Sequence, residues 1–171
     1  MQLFIGPLDN IHDKSRFNSG SPELDTYLKE QAGQDARRKL SAVFVLTEER
    51  ITVVGYYTLS QYALEAEDFP QATSKKLPKR RKIACTLLGR LAVDSRCQGL
   101  GYGRALLFHA LKKAAAASEE VASFAVVVDA KDETAKLFYE KNGFLTLRDE
   151  PLRLFIPIKG LVNKLNAMGA V

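Results

Sequence analysis

A glycine-rich stretch between an apolar run and a helical run constrains this chain more than any other segment. The apolar run Thr86-Leu87-Leu88-Gly89-Arg90-Leu91-Ala92-Val93 reads as a buried strand. Next comes Arg96-Cys97-Gln98-Gly99-Leu100-Gly101-Tyr102-Gly103-Arg104, and then the helical run Leu106-Leu107-Phe108-His109-Ala110-Leu111-Lys112-Lys113. A glycine turn between strand and helix lets backbone N–H groups approach a ligand closely. The helix start adds partial positive charge. With Arg96 and Arg104 flanking it, such a turn suits a phosphate.

The spacing narrows the ligand. A dinucleotide fingerprint needs Gly-x-Gly-x-x-Gly; Gly99 and Gly101 fit, but the third position is Arg104. The expected carboxylate would have to be Asp129, and the motif sits mid-chain. The Gly-Lys-Ser/Thr of a Walker loop is absent. Alone, the loop also suits an ordinary tight turn before a helix. The arrangement Arg96-x-x-Gly99-x-Gly101 after a strand resembles the coenzyme A pyrophosphate loop of the GNAT N-acetyltransferases.

A second segment carries the same resemblance. Val126-Val127-Val128-Asp129-Ala130 reads as a strand, and Asp132 to Phe144 as a helix closed by Asn142-Gly143. Asp132 can cap its start, and Gly143 stands where a left-handed residue is wanted. Ala135-x-x-Phe138-Tyr139-x-x-x-Gly143-Phe144 is similar to the last helix and turn of the GNAT core. The resemblance implies an α/β fold, with a mixed central sheet, splayed central strands and flanking helices. Coenzyme A then lies in the gap between the splayed strands. It further implies acetyl-CoA contacts at Leu91, Ala92, Val93, Arg96, Gln98, Gly99, Leu100, Gly101, Tyr102, Gly103 and Arg104, and at Asp132, Ala135 and Phe138.

Length and composition set bounds. A chain of 171 residues that is 46% hydrophobic is expected to form one domain over 1–171. No apolar run is long enough for a membrane span, and no signal peptide is evident. Cys85 and Cys97 make no disulfide framework, which fits a cytoplasmic protein. Cys97 lies in the phosphate loop, where a helix start can lower a thiol pKa, but it reads more simply as a turn residue. His12 and His109 are too few and too scattered for a metal site, so none is expected. His109 reads as a packed or half-exposed helix residue. Hydrolase and zinc-protease motifs are absent.

The remaining elements alternate. Residues 2–5 form a short strand. Ser21-Pro22 starts a helix carrying Leu24, Tyr27 and Leu28, and a second helical piece spans about Gln31 to Lys39. Ala42–Thr47 and Thr52–Ser60 are strands joined by Glu48-Glu49-Arg50. Residues 65–82 read as a polar insertion with Pro70 and Pro78. Strands follow over Phe124–Asp129, near Phe144–Leu147 and over Leu152–Ile156, with a short helix at 159–168.

Several segments resemble a narrower group. Phe17-x-Ser19-Gly20-x-Pro22-x-Leu24-Asp25-x-Tyr27-Leu28 is similar to the start of the acetyltransferase toxins of bacterial toxin–antitoxin pairs. Gly55-Tyr56-Tyr57-Thr58-Leu59-Ser60, Leu77-Pro78-Lys79-Arg80 and Leu88-Gly89-Arg90-Leu91-Ala92-Val93-Asp94 match as well. The resemblance implies acetylation of the amino group of the amino acid on charged tRNA, which stops translation. It also implies a ribbon-helix-helix antitoxin, operator DNA bound only through the antitoxin complex, and a homodimer. A GNAT enzyme acting on a small-molecule amine is the alternative.

Charge bears on that choice. The net charge is +5, and Lys75, Lys76, Lys79, Arg80, Arg81 and Lys82 crowd one loop. Arg37, Arg38 and Lys39 form a second cluster. Such patches attract an RNA backbone, although a charge run is also an ordinary solvated loop. Arg37, Arg38, Lys75, Lys76, Lys79, Arg80, Arg81 and Arg90 are the candidate tRNA contacts.

The chemistry needs a neutral amine, an oxyanion donor and a proton for the departing thiolate. An α-amine, with pKa about 7.7–8.0, is partly neutral at pH 7, whereas a lysine amine at about 10.4 is not. A strong base is therefore optional, and Thr86 to Val93 offers no carboxylate. A tyrosine hydroxyl, pKa about 10, can pass a proton to a thiolate whose thiol titrates near about 8.5. By position in the family resemblance Tyr139 is that acid, and the Val93 N–H is the oxyanion donor. Tyr139 also suits a core aromatic beside Phe138.

Overall fold

The computed structural model describes residues 1–169, so the end of the domain expected over 1–171 lies outside the described residues. The strands are β1 (Leu3–Pro7), β2 (Ala42–Glu48), β3 (Thr52–Leu64), β4 (Ile83–Val93), β5 (Ala125–Asp129), β6 (Leu145–Leu147) and β7 (Glu150–Pro157). The helices are α1 (Pro22–Thr26), α2 (Ala32–Arg37), α3 (Gln71–Ser74), α4 (Tyr102–Ala117), α5 (Glu133–Lys141) and α6 (Leu161–Ala167). The strands form one mixed sheet in the order β1-β2-β3-β4-β5-β7-β6. Its contacts fall into two compact units, and β3, β4 and α4 each contribute to both.

The first unit holds residues 1–60 and 89–110. Here β1 and β2 pair antiparallel, as do β2 and β3, with a register shift between Leu46 and Thr47. One core cluster joins Phe17, Tyr27, Leu28 and Ala32 to Val43, Val45, Val53, Tyr56 and Ala92. Alternate residues of β2 and β3 meet α4 instead. Phe44 stacks on Tyr57 at 5.1 Å, and the Tyr57 hydroxyl lies 2.7 Å from His109 Nδ1. His109 is thus a packed helix residue, as its sequence context implied. The two helical pieces expected near the start are α1 and α2, joined by a π-helical turn over Tyr27–Gln31. Ser21 holds the cap position of α1, but its side chain makes no capping bond. Asp25 accepts from Ser19 N and Oγ instead, at 2.9 and 2.7 Å.

The second unit holds residues 61–88 and 111–169. Its sheet pairs β4 with β5 in parallel over Thr86↔Val126 to Leu88↔Val128, and β4 runs five residues beyond that ladder. Ala125 to Val128 are fully buried, as a near-continuous apolar strand should be when both faces are covered. The segment 65–82 departs from the polar insertion that its composition implied. It contains a short helical turn at Ala66–Asp68 and α3, and Phe69 is wholly buried edge-on against Phe124 and Phe155 at 5.4 and 5.0 Å. The tail helix, expected over 159–168, is α6. No helix among the described residues is long and apolar enough to cross a membrane.

Candidate active site

The phosphate-loop geometry follows from its glycines. After β4, Ser95–Cys97 make one tight helical turn, and α4 starts at Tyr102. Gly99 and Gly101 have φ of 81° and 84°, a region costly for any residue with a Cβ. A Cβ at either would meet nothing within 4 Å, so both face open space. Ala105 N donates to Gly101 O at 3.1 Å, which makes Gly101 the residue just before a helix of 16 residues. The N–H groups of the first turn of α4 lie at the loop, where the helix has no earlier carbonyls of its own. Gln98, Gly99, Leu100 and Gly101 are all exposed. Arg104 lies with its guanidinium 4.4 Å from the Phe108 ring centre.

Arg96 reaches back to the end of β4. Its guanidinium is turned onto Asp94, with Nε 2.8 Å from Oδ1 and Nη2 3.1 Å from Oδ2, while the residue stays exposed. Asp94 is wholly buried and also accepts from the backbone N–H groups of Arg96 and Asn18. Burial pushes the Asp94 carboxyl up, but the hydrogen bonds from Arg96 and Asn18 outweigh it and hold it below the ordinary carboxylate range. Gln98 likewise turns back, its Nε2 donating to Ser19 O and Val93 O at 3.0 Å each. Sequence reasoning did not assign Asp94 or Asn18 a role. The Asp94-x-Arg96 spacing was a signal available for the first; nothing local marked the second.

On β4, Ala92 is buried while Leu91 and Val93 are half-buried, the alternation of a strand with one face in the core. Arg90 is drawn inward, its guanidinium 3.5 Å from the Tyr27 ring centre. Tyr27 in turn donates to Asp35 Oδ2 at 2.8 Å. Cys97 is buried, and that burial raises its thiol pKa, which matches a turn residue rather than a reactive thiol.

In the second unit, Asp132 caps α5 by accepting from Ala135 N at 2.8 Å. Gly143, at φ of 95°, lets the chain leave α5, and Asn142 Nδ2 bonds back to Phe138 O at 2.8 Å. Tyr139 is buried and meets the rings of Phe138 and Phe144 edge-on at 5.2 and 5.4 Å. It is more buried than Phe138, so the ring serves the core, the role the sequence also allowed. Burial drives its hydroxyl well above the ordinary tyrosine pKa, which keeps it protonated.

Lys75, Lys76, Lys79, Arg80, Arg81 and Lys82 are all exposed. Leu77 packs on the cluster of Leu64, Phe69 and Phe155, which tacks this basic loop to its unit. Lys82 bonds Glu65 at 2.7 Å and closes the loop at its end. Arg37 and Arg38, in the other unit, are exposed too. Among the described residues, no cluster of three or more His, Cys, Asp or Glu side chains is placed to hold a metal.

This strand, glycine loop and helix lie in a region that matches the acetyltransferase (GNAT) domain over residues 39–145, and the chain belongs to the GNAT acetyltransferase family. It is 31% identical over 152 residues to the tRNA-acetylating toxin of Mycobacterium tuberculosis, spanning 89% of this chain and 90% of that protein. The structure is similar to that of AtaT complexed with acetyl-methionyl-tRNAfMet, with a TM-score of 0.87 and 32% identity over 95% of this chain and 98% of that one. A tyrosine-to-phenylalanine mutant of AtaT, bound to the C-terminus of the antitoxin AtaR and acetyl-CoA, superposes with a TM-score of 0.79, at 28% identity over 94% of this chain and 98% of that one.

Proposed function

We propose that this protein is a toxin that moves the acetyl group of acetyl-CoA to the α-amino group of the amino acid on charged tRNA, blocks translation, and is neutralised by a cognate antitoxin. The observation that carries the substrate reading is the basic loop Lys75–Lys82, exposed yet anchored by Leu77 and by the Lys82–Glu65 bridge. A loop fixed in this way presents its charges to a polyanion without first having to be ordered. Arg37, Arg38 and Arg90 belong to the same reading. The likeness to a tRNA-acetylating toxin and to a tRNA-bound structure supports it.

The loop residues fit acetyl-CoA. Gly99 and Gly101 leave the space above the loop open, and a helix of 16 residues begins there with the positive end of its dipole at the loop. In this reading the N–H groups of Gln98 to Arg104 hold the pyrophosphate. The backbone of Leu91 to Val93 pairs with the pantetheine arm, and Asp132, Ala135 and Phe138 line the coenzyme from α5. The acceptor nitrogen attacks the thioester carbonyl, forming the C–N bond. The Val93 N–H donates to the oxygen that gains charge. The C–S bond breaks, Tyr139 gives its hydroxyl proton to the sulfur, and the extra proton of the new amide passes to water, from which Tyr139 regains its own. Among the described residues, no buried side-chain oxygen or nitrogen lacks a partner.

The same reading gives a cytoplasmic homodimer, one catalytic domain, a ribbon-helix-helix antitoxin, and operator DNA engaged only through the antitoxin complex. The test is incubation of the purified protein with acetyl-CoA and total charged tRNA, followed by analysis of the released amino acids. Acetylated amino acids are expected. Turnover of a polyamine or antibiotic amine with none on charged tRNA would move the protein to the small-molecule acetyltransferases.

A further inference from the structure

We infer that Asp94 is the positioning residue of the phosphate loop, with Arg96 serving as its counter-charge rather than as a phosphate ligand; this rests on acetyl-CoA binding at that loop. Each Asp94 oxygen accepts one backbone and one guanidinium donor. Oδ1 takes Arg96 N at 2.9 Å and Arg96 Nε at 2.8 Å; Oδ2 takes Asn18 N at 3.1 Å and Arg96 Nη2 at 3.1 Å. A wholly buried carboxylate is tolerated only when paired and hydrogen-bonded in this way.

Those bonds hold the chain on both sides of the strand end. Asp94 N donates to Val54 O at 2.8 Å, Ser95 N to Asn18 O at 2.7 Å, and Cys97 N to Asp94 O at 2.8 Å. Gln98 Nε2 then joins Val93 O to Ser19 O. From Asp94 to Gln98 every residue makes a specific bond, and the open glycines begin immediately after. The N–H groups of the loop are therefore aimed before any ligand arrives, which lowers the ordering cost of binding. Two arms of the Arg96 fork are committed to the carboxylate, and its charge is balanced there. A lysine keeps the charge but cannot reproduce the planar fork.

The test is calorimetry of acetyl-CoA binding to the purified full chain across a salt series, with steady-state kinetics beside it. Asp94→Asn puts an amide nitrogen against N–H donors and should weaken acetyl-CoA on the order of tenfold or more. At saturating acetyl-CoA, kcat should stay within about twofold, so the loss lies in KM. Arg96→Lys should weaken binding to a similar degree although it keeps the charge. The double variant should be no weaker than the worse single one, because both act through one unit. The salt slope of acetyl-CoA affinity should match the wild type throughout. A folded Asp94→Asn protein with wild-type affinity overturns the inference. So does an Arg96→Lys protein of wild-type affinity beside an Arg96→Gln protein that binds weakly with a flattened salt slope, since that pattern marks a direct phosphate ligand. Should Asp94→Asn not fold, the Arg96 pair decides alone. A wild-type chain that binds no acetyl-CoA instead defeats the cofactor reading, and this one with it.

Discussion

Replacing Gly55 by alanine tests how the phosphate-loop helix is seated. Gly55 lies on β3 opposite Leu46. A Cβ there would stand 2.8 Å from Leu106 Cδ1, 3.3 Å from the Ala92 carbonyl oxygen and 3.5 Å from Leu46 Cβ. Carbon atoms prefer about 3.5–4.0 Å, so the Leu106 contact overlaps by ~0.7 Å or more. Leu106 is wholly buried, so its side chain is enclosed by the core on every side. Relief must come from α4 itself, one turn after its start at Tyr102. Overpacking of this kind costs about 1–3 kcal/mol, while loss of glycine's freedom in the unfolded chain returns about 0.4–1 kcal/mol. The net loss centres on about 1–2 kcal/mol, a fall in Tm of roughly 2–8 °C for a chain of this size. Thermal melts read the first effect, and acetyl-CoA calorimetry reads the shift of the loop. Leu106→Ala removes the clashing atom, so the double variant should be less destabilised than the sum of the singles by about 1 kcal/mol. Strict additivity, or a Gly55→Ala protein that melts with the wild type, would refute the argument that contact at Gly55 sets the position of α4.

Three further outcomes are expected. Tyr139→Phe keeps the ring that packs on Phe138 and Phe144 and should fold and bind acetyl-CoA normally, while kcat falls on the order of 10²–10⁴-fold; full activity would leave Tyr139 a core residue only. Lys79→Ala and Arg81→Ala combined with Arg80→Asn, which suits the φ of 64° at Arg80, should flatten the salt dependence of charged-tRNA binding by about one unit of slope per lost phosphate contact and leave a small free amine as substrate unaffected. Equal loss on both substrates would mean that the loop serves coenzyme A or folding. Burial raises the pKa of Tyr56, Tyr57 and Tyr139 above the unfolded value of about 10, so their contribution to stability is complete below about pH 10 and falls as pH rises further, by up to about 1.4 kcal/mol per pH unit for each. Urea midpoints across that range should drop, less steeply in Tyr57→Phe; flat midpoints would contradict the buried hydroxyls.

What could be read from the sequence was what neighbouring residues decide. The left-handed turn at Gly143, the Asp132 cap and the glycine pair Gly99 and Gly101 each depend on a few consecutive positions, and each stands where its spacing implied. The bond from Arg96 to Asp94 was not legible because that partner is chosen by burial. Asp94 is enclosed by a segment from far upstream, with Asn18 and Asp94 separated by 76 positions, and no local pattern reports that closure. Phe69 was hidden for a related reason. A lone aromatic in a polar, proline-containing stretch has no period to expose it, yet the cluster around Phe155 takes it in completely. The π-helical turn at Tyr27–Gln31 keeps Tyr27 and Leu28 in the core while the helix goes on, so two helical pieces looked separate in a pattern read at a single period.

The carboxylates at the ends of β4 and β5 bear on the last expectation, which concerns the amine. Asp94 is buried, bonded four times and held in its ionised form, so it has no free lone pair aimed at a substrate. Asp129 accepts from Arg153 Nε at 2.6 Å. The histidines are engaged as well: His109 Nδ1 meets the Tyr57 hydroxyl, and His12 Nδ1 accepts from Asp9 N. An acceptor served by no base on the protein brings its own neutral fraction. At pH 7 an α-amine of pKa about 7.7–8.0 is roughly one part in eight neutral, whereas a lysine amine of about 10.4 is roughly one in 2,500. That ratio, about 300-fold, favours an α-amine over a lysine side chain before any contact is counted. The profile of kcat/KM against pH should therefore rise with one ionisation, that of the acceptor amine, and then level off. Tyr139, protonated beyond its ordinary range, should impose no fall until well above about pH 10. Measuring the profile with two charged tRNAs whose aminoacyl amines differ in pKa decides the matter. The midpoint should move with the acceptor, by the difference between the two amines. A midpoint that stays fixed belongs to a group on the protein, and would mean that a general base does operate here.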